Sequence, residues 1–189
     1  MKVYAINGSP RKKGNTITLL QKALDGVKES IKDQEIETKI INLYDLNYTG
    51  CKSCFACKRI GAKSYGKCVA KDNLKEVLEK LLFPYHTYDK ELSVITPKRM
   101  PTAFIYTMNS PEEAIEQMGY KTAFANTEWL IEHMFTKPEV MYSCNTYQFD
   151  DYSKYESSFF SAEQKIAHRE TQFPIDCEKA FELGANLIK

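Results

Sequence analysis

Two groups of residues carry the most specific chemistry in this sequence. The first is Gly8-Ser9-Pro10-Arg11-Lys12-Lys13-Gly14-Asn15-Thr16, and the second is Cys51, Cys54, Cys57 and Cys68. The first group follows an apolar run and precedes a helical pattern. A helix amino terminus offers unpaired N–H groups and the positive end of the helix dipole. Ser9, Asn15 and Thr16 add hydroxyl and amide groups, and Arg11 adds a charge-assisted fork. Gly8 and Gly14 permit close backbone approach. Together they suit a terminal phosphate, although the same composition also suits an ordinary polar strand-to-helix turn. The loop is neither a P-loop nor the G-x-G-x-x-G dinucleotide fingerprint, because the required glycines and the Gly-Lys-Ser/Thr ending are absent.

The cysteines are spaced C-x2-C-x2-C, with the fourth following after ten residues. Repeated x2 spacing is the bacterial iron–sulfur pattern, whereas zinc sites more often pair two separated knuckles. Three readings stay open: a [4Fe–4S] cluster, zinc, or reduced thiols in a loop. Lys52, Lys58, Arg59, Lys63 and Lys67 surround the group and are expected to lower thiol pKa values. Cys144 and Cys177 read as core residues.

These groups need elements to position them. Val3 to Ile6 is a β-prone apolar run, and Thr16 to about Ile31 a helix with Ile17, Leu20, Leu24 and Val27 on one face. Asn15 or Thr16 is its expected cap. Ile36, Ile40, Ile41 and Leu43 mark a second strand, so the opening is a βαβ unit with a parallel sheet. A helix is expected from Asp72 to Leu82, and a short strand at Leu92 to Ile95. Thr102 to Thr107 is a buried strand, and Pro111 opens a helix. Another helix covers Ala123 to Phe135, and Glu139 to Cys144 is a strand. Tyr147 to Phe160 reads as a polar, aromatic loop, and the remainder as helix interrupted at Pro174. His86, His133 and His168 are far apart in sequence and form no ligand-spaced pair. No residue is assigned as a catalytic acid, base or nucleophile.

Length and composition suit one domain spanning 1–189: 43% of the residues are hydrophobic, 27% are charged, and the formal net charge is +1. That balance gives no sign of nucleic-acid binding. No apolar run reaches the roughly 18–20 residues of a membrane span, and no signal-peptide pattern opens the chain. A cytoplasmic location is therefore expected, where thiols stay reduced.

The segments INGSPRKKGNT, INLYDLNYTGCKSCFACK, GKCVAKDNL and PTAFIYTMN resemble the flavodoxin-like NADPH-dependent FMN reductases, in particular their iron–sulfur flavoprotein branch. The resemblance implies a flavodoxin-like three-layer α/β sandwich with a parallel sheet. It implies FMN bound at the strand ends, NAD(P)H as a transient donor, and a small-molecule or protein electron donor or acceptor. By that match Ser9, Arg11, Asn15 and Thr16 hold the phosphate, and Thr107, Met108 and Asn109 lie near the ring. Cys51, Cys54, Cys57 and Cys68 correspond to the branch's cluster motif, with a longer last spacer. A homodimer or homotetramer is implied as well.

One departure stands out. After the helix ending near Leu82, relatives have a third strand, a flavin-packing loop and another helix. Here the chain passes directly to Phe83-Pro84-Tyr85. Part of the central third-strand region is thus expected to be lacking, which exposes two inner edges. Residues missing from the sequence, a substitute strand at Leu92 to Ile95, or a sheet completed by a partner would each account for it, and the first is preferred. An alternative function is a cofactor-free metal-binding or interaction protein on the same fold. Another is a phosphate-ester enzyme, for which no general base near Ser9 is evident.

Overall fold

The structure, a computed structural model, describes residues 1–31, 35–47, 54–69, 82–155 and 158–188. Strand β1 (Lys2–Asn7) leads through the Gly8–Thr16 loop into α1 (Asn15–Ser30), and β2 (Glu37–Asn42) follows. Beyond the cysteine region come β3 (Ala103–Thr107), the short α2 (Ala114–Gln117), α3 (Tyr120–Met134), β4 (Glu139–Ser143) and the long α4 (Ala162–Asn186). The helix expected at Asp72–Leu82 lies almost wholly outside the described residues.

Among the described residues the named strands pair in parallel. β1 pairs with β2, from Lys2 opposite Glu37 to Asn7 opposite Asn42. β3 pairs with β4, from Ala103 opposite Glu139 to Thr107 opposite Ser143. Among the described residues these are two separate two-stranded sheets, with no pairing between β1 and β3. The lack of a central strand expected from the sequence therefore has a structural counterpart. All five residues of β3 remain half-buried, although their apolar character suits a strand covered on every side. Leu92 to Ile95 does not replace the strand. Val94 makes a single antiparallel bridge with His86, and Leu92 takes a left-handed backbone with φ of 51°, which ends any extended run.

Alternation along β3 and β4 builds a core on each face. Ile105 and Met141 face Leu19 of α1 and Phe173 and Ala180 of α4. Phe104 faces Ile131, Met134 and Phe135 on and just past α3, with Leu82, Tyr85 and Val94 beside them. Tyr106 stacks on Phe124 of α3 at 4.0 Å between ring centroids. The order is helix layer, sheet, helix layer, as a flavodoxin-like sandwich requires.

The tightest contact lies between α1 and α4. A Cβ placed on Gly26 would overlap the backbone of Phe181, and one on Gly184 would overlap the backbone of Ala23. Each helix thus seats a glycine against the other's main chain. The Ser30 hydroxyl donates to the Ala185 carbonyl at 2.9 Å near the same end. α4 is one helix, not two: it runs through Pro174, which cannot donate to the carbonyl four residues back. The close packing against α1 supports the turn that this missing bond weakens. Its start is capped by Ser161, whose hydroxyl accepts from the Gln164 amide at 3.2 Å. The cap of α1 is Gly14, at φ 121°, with no side-chain capping bond. Asn15 and Thr16 are inside the helix, and their side chains are used elsewhere. Among the described residues no helix is long and apolar enough to cross a membrane.

The glycine contact leads to a prediction. Gly26→Ala and Gly184→Ala should each lower unfolding free energy by about 3 kcal/mol, the upper end for overpacking, because the atom that must yield is backbone. Urea denaturation followed by circular dichroism measures this. A loss under about 1 kcal/mol at both positions would contradict the close seating.

Candidate functional site

The carboxyl ends of β1 and β3 and the amino terminus of α1 converge, as is usual where open α/β sheets hold ligands. Asn7, fully buried at the end of β1, fixes the start of the loop. Its side-chain amide donates to Asn42 at 2.9 Å across the strand pair. Its side-chain oxygen accepts from the Ser9 amide at 3.1 Å. The Ser9 hydroxyl in turn accepts from the Arg11 amide at 3.2 Å. Sequence reasoning passed over Asn7; its only signal is a polar residue closing an apolar strand.

The predicted phosphate residues occupy one region but are not all free for a ligand. Arg11 donates through its guanidinium to the Gln148 carbonyl at 2.8 Å. Asn15 is buried, and its amide donates to the Tyr147 carbonyl at 3.0 Å. Its oxygen accepts from the Arg169 guanidinium at 2.8 Å. The Thr16 and Thr107 hydroxyls are 2.7 Å apart. That last contact joins the loop directly to the end of β3, across the line where the two sheets lack a shared strand. Arg169 lies over the Phe173 ring at 3.8 Å, so α4 adds a second guanidinium that the sequence reading did not single out.

Beyond Thr107 the backbone continues the ladder for one residue. The Met108 amide donates to the Ser143 carbonyl at 3.0 Å, and the Met108 carbonyl accepts from the Thr146 amide at 3.0 Å. The carbonyl of Asn109 accepts from the ammonium of Lys165 at 2.7 Å, which also reaches the side chain of Asn145. The Asn109 side-chain oxygen is buried without a hydrogen-bond partner among the described residues.

The donor set fits an anion. No carboxylate occurs between Gly8 and Thr16, and Lys12 pairs with the exposed Asp45 at 2.8 Å. The first amides of α1 have no intrahelical acceptor by helix geometry. A phosphate is thus matched by Ser9, Arg11, Thr16 and these amides, with Asn15 engaged as a tie to the 147–148 segment.

The cysteine group gives a different result. Cys51 lies outside the described residues. Cys54 is exposed, Cys57 buried and Cys68 half-buried. Among the described residues no three histidines, cysteines or carboxylates are arranged to hold a metal. The basic surroundings do not lower the Cys57 thiol: burial pushes its pKa up, outweighing the nearby Lys58. Lys58 turns away to donate to the carbonyls of Phe83 and His86, and burial holds its own ammonium below the usual range. Cys144 is half-buried rather than part of the core, and burial first, then Glu112 and Asp176, pushes its pKa up to about 11.

The fold brings together two histidines that the sequence reading kept apart. The His86 and His133 rings are 5.5 Å apart, with His133 bonded to the Leu92 carbonyl at 3.0 Å. His168 is separate and bonds the Cys144 carbonyl at 3.0 Å.

Three comparisons bear on this geometry. Residues 1–82 match the family model described as NADPH-dependent FMN reductase. An iron-sulfur flavoprotein of Methanocaldococcus jannaschii is 40% identical over 81 residues, which cover 43% of this chain and 37% of the relative. An iron-sulfur flavoprotein of Archaeoglobus fulgidus is 41% identical over 81 residues, covering 43% of this chain and 35% of the relative. The match therefore spans just over a third of each relative's length. In fold, the chain is similar to an NAD(P)H:quinone oxidoreductase from Methanothermobacter marburgensis. The TM-score is 0.65 at 14% identity, over 99% of this chain and 98% of the other. The flavodoxin-like architecture expected from the sequence is thereby shown.

Two predictions come from these side chains. Asn15→Ala removes a buried amide and leaves the Tyr147 carbonyl and the Arg169 guanidinium without it. Unfolding free energy should fall by about 1–3 kcal/mol, read by urea denaturation, whereas a neutral effect would contradict the tie. The second concerns pH. Burial, with His133 and Lys58 nearby, holds the His86 pKa below 6.5. The unfolded chain then takes up this proton more readily than the folded one. Its contribution is complete above about pH 6.5 and is lost as pH falls below that value. His86→Gln should flatten the decline of urea midpoint between pH 7 and 5.5, and equal slopes in both proteins would contradict it.

Proposed function

We propose that this chain is an FMN-dependent oxidoreductase that passes electrons from NAD(P)H or a redox partner to a small-molecule or protein acceptor. The observation that carries the reading is the 2.7 Å contact between Thr16 and Thr107. It joins the anion-suited loop to the end of β3, and residues 1–82 match the model of an FMN reductase family. The names of the iron-sulfur flavoproteins it resembles support a flavin as the group bound.

In this reading Ser9, Arg11 and Thr16 hold the phosphate, and Asn15 contributes its backbone amide. Thr107, Met108 and Asn109 border the ring. When bound, FMN supplies hydride and single-electron chemistry by itself. The protein's part is to fix the anion, set the polarity at the strand ends and limit water there. The Arg11 and Asn15 ties to residues 147–148 hold the aromatic segment over the loop. Among the described residues Cys54, Cys57 and Cys68 are not grouped to hold a metal, and Cys51 lies outside those residues.

The test is titration of the apoprotein with FMN and with riboflavin, followed by flavin fluorescence. FMN should bind at least tenfold more tightly than riboflavin, because only FMN carries the anion. Arg11→Ala should weaken FMN about tenfold or more, as expected for a charged hydrogen bond, while leaving riboflavin unchanged. A protein that takes up neither, or binds both equally, would overturn the reading.

A further inference from the structure

α4 buries a charge that no carboxylate among the described residues balances. Lys165 is 4% exposed, and apart from Asp176 it is the one ionisable side chain among the buried polar residues described. Its ammonium donates to the Asn109 carbonyl at 2.7 Å and to the Asn145 side chain, and it lies 5.1 Å from the centre of the Phe160 ring. All these neighbours are neutral. No carboxylate among the described residues pairs with it, and burial alone lowers its pKa.

A buried cation without a counter-ion is costly, and an apolar side chain of similar shape commonly does better for stability. A lysine kept in such a place has a use that stability does not explain. Its location indicates the use. Asn109 lies two residues beyond Thr107, and Asn145 two beyond Ser143, so Lys165 bridges the loops that leave β3 and β4 at their carboxyl ends. Asn145 accepts a left-handed backbone at φ 53° in this arrangement. The same Asn109 has a buried side-chain oxygen without a hydrogen-bond partner among the described residues. Oxidised isoalloxazine offers an imide N–H on its pyrimidine edge. On uptake of two electrons and one proton, the ring gains a negative charge delocalised over that edge. A fixed positive charge and a free acceptor at one place match that reduced edge.

We propose that Lys165 is an electrostatic positioning residue of the flavin site: it favours reduced, anionic FMN over oxidised FMN and holds Asn109 toward the ring. This rests on the FMN reading above. The effect acts through charge, so it is specific for lysine or arginine and is absent with any neutral residue.

The experiment compares wild type, Lys165→Met and Lys165→Arg. Each is titrated anaerobically with FMN, oxidised and then reduced by dithionite, and the ratio of the two dissociation constants is taken. Lys165→Met should lose at least tenfold in preference for reduced FMN, equal to about a 30 mV fall in the two-electron potential. Lys165→Arg should stay within about threefold of wild type, since it keeps the charge. Thermal unfolding of the flavin-free Met variant should be unchanged or raised, because an unpaired buried charge has gone. If Lys165→Met does not fold, Lys165→Gln supplies the same neutral comparison. An unchanged ratio in a neutral variant that still binds FMN overturns this assignment alone, and so does a lower melting point with an unchanged ratio, which marks a structural tie. Wild type that takes up no FMN overturns the flavin reading together with it.

Discussion

The arrangement depends on the contact between α1 and α4. Among the described residues, β1–β2 and β3–β4 share no backbone hydrogen bond, so the sheet cannot hold itself together as an unbroken ladder would. α1 follows β1, and α4 follows β4. The two glycines that let these helices meet backbone to backbone therefore set where one half of the sheet lies relative to the other. Apolar side chains reinforce the junction, with Leu19 of α1 and Phe173 and Ala180 of α4 closing over Met141. Dispersion and burial act broadly across such a contact. The register, however, comes from the positions where a side chain has no room.

On that frame the site is assembled by polar ties, each joining parts of the chain distant in sequence. Thr16 meets Thr107, Arg11 meets Gln148, Asn15 meets both Tyr147 and Arg169, and Lys165 meets Asn109 and Asn145. Buried polar groups carry a high cost when unpaired, so these ties define one arrangement more sharply than apolar packing does. The cysteine loop stands apart. It is anchored by Lys58 on the Phe83 and His86 carbonyls, against the bridge formed by Val94 and His86.

What could be read in the sequence were features with local causes. The strands around Val3 to Ile6 and Thr102 to Thr107, the helix after Thr16 and the anion-suited loop all declare themselves through periodicity and turn chemistry. The break before Phe83 showed only through the family resemblance, because the relatives' third strand and its loop have no counterpart in this sequence. Other features were not legible because their causes are tertiary. Pro174 predicts an interruption, yet packing against α1 carries the helix through it. Asn15 is a good cap by type, yet Gly14 takes that position because Asn15 is drawn to Tyr147 and Arg169. His86 and His133 are far apart along the chain, and only the turn at residues 86–94 brings them together. Lysines around Cys57 suggest a lowered thiol pKa, but desolvation outweighs them. Lys165 looked like any surface lysine, because nothing in its immediate neighbours marks it as buried.

α4 carries two buried ionisable groups eleven residues apart, about 16 Å along a helix. Asp176 holds the Ser143 hydroxyl at 2.6 Å at the last residue of β4, and Lys165 lies beyond that strand's end. The order runs positive to negative from the helix's amino terminus, the same sense as its own peptide dipoles. The formal charges of Lys165 and Asp176 therefore lie in the same sense as the peptide dipoles of the helix that carries them, in a chain whose formal net charge is only +1.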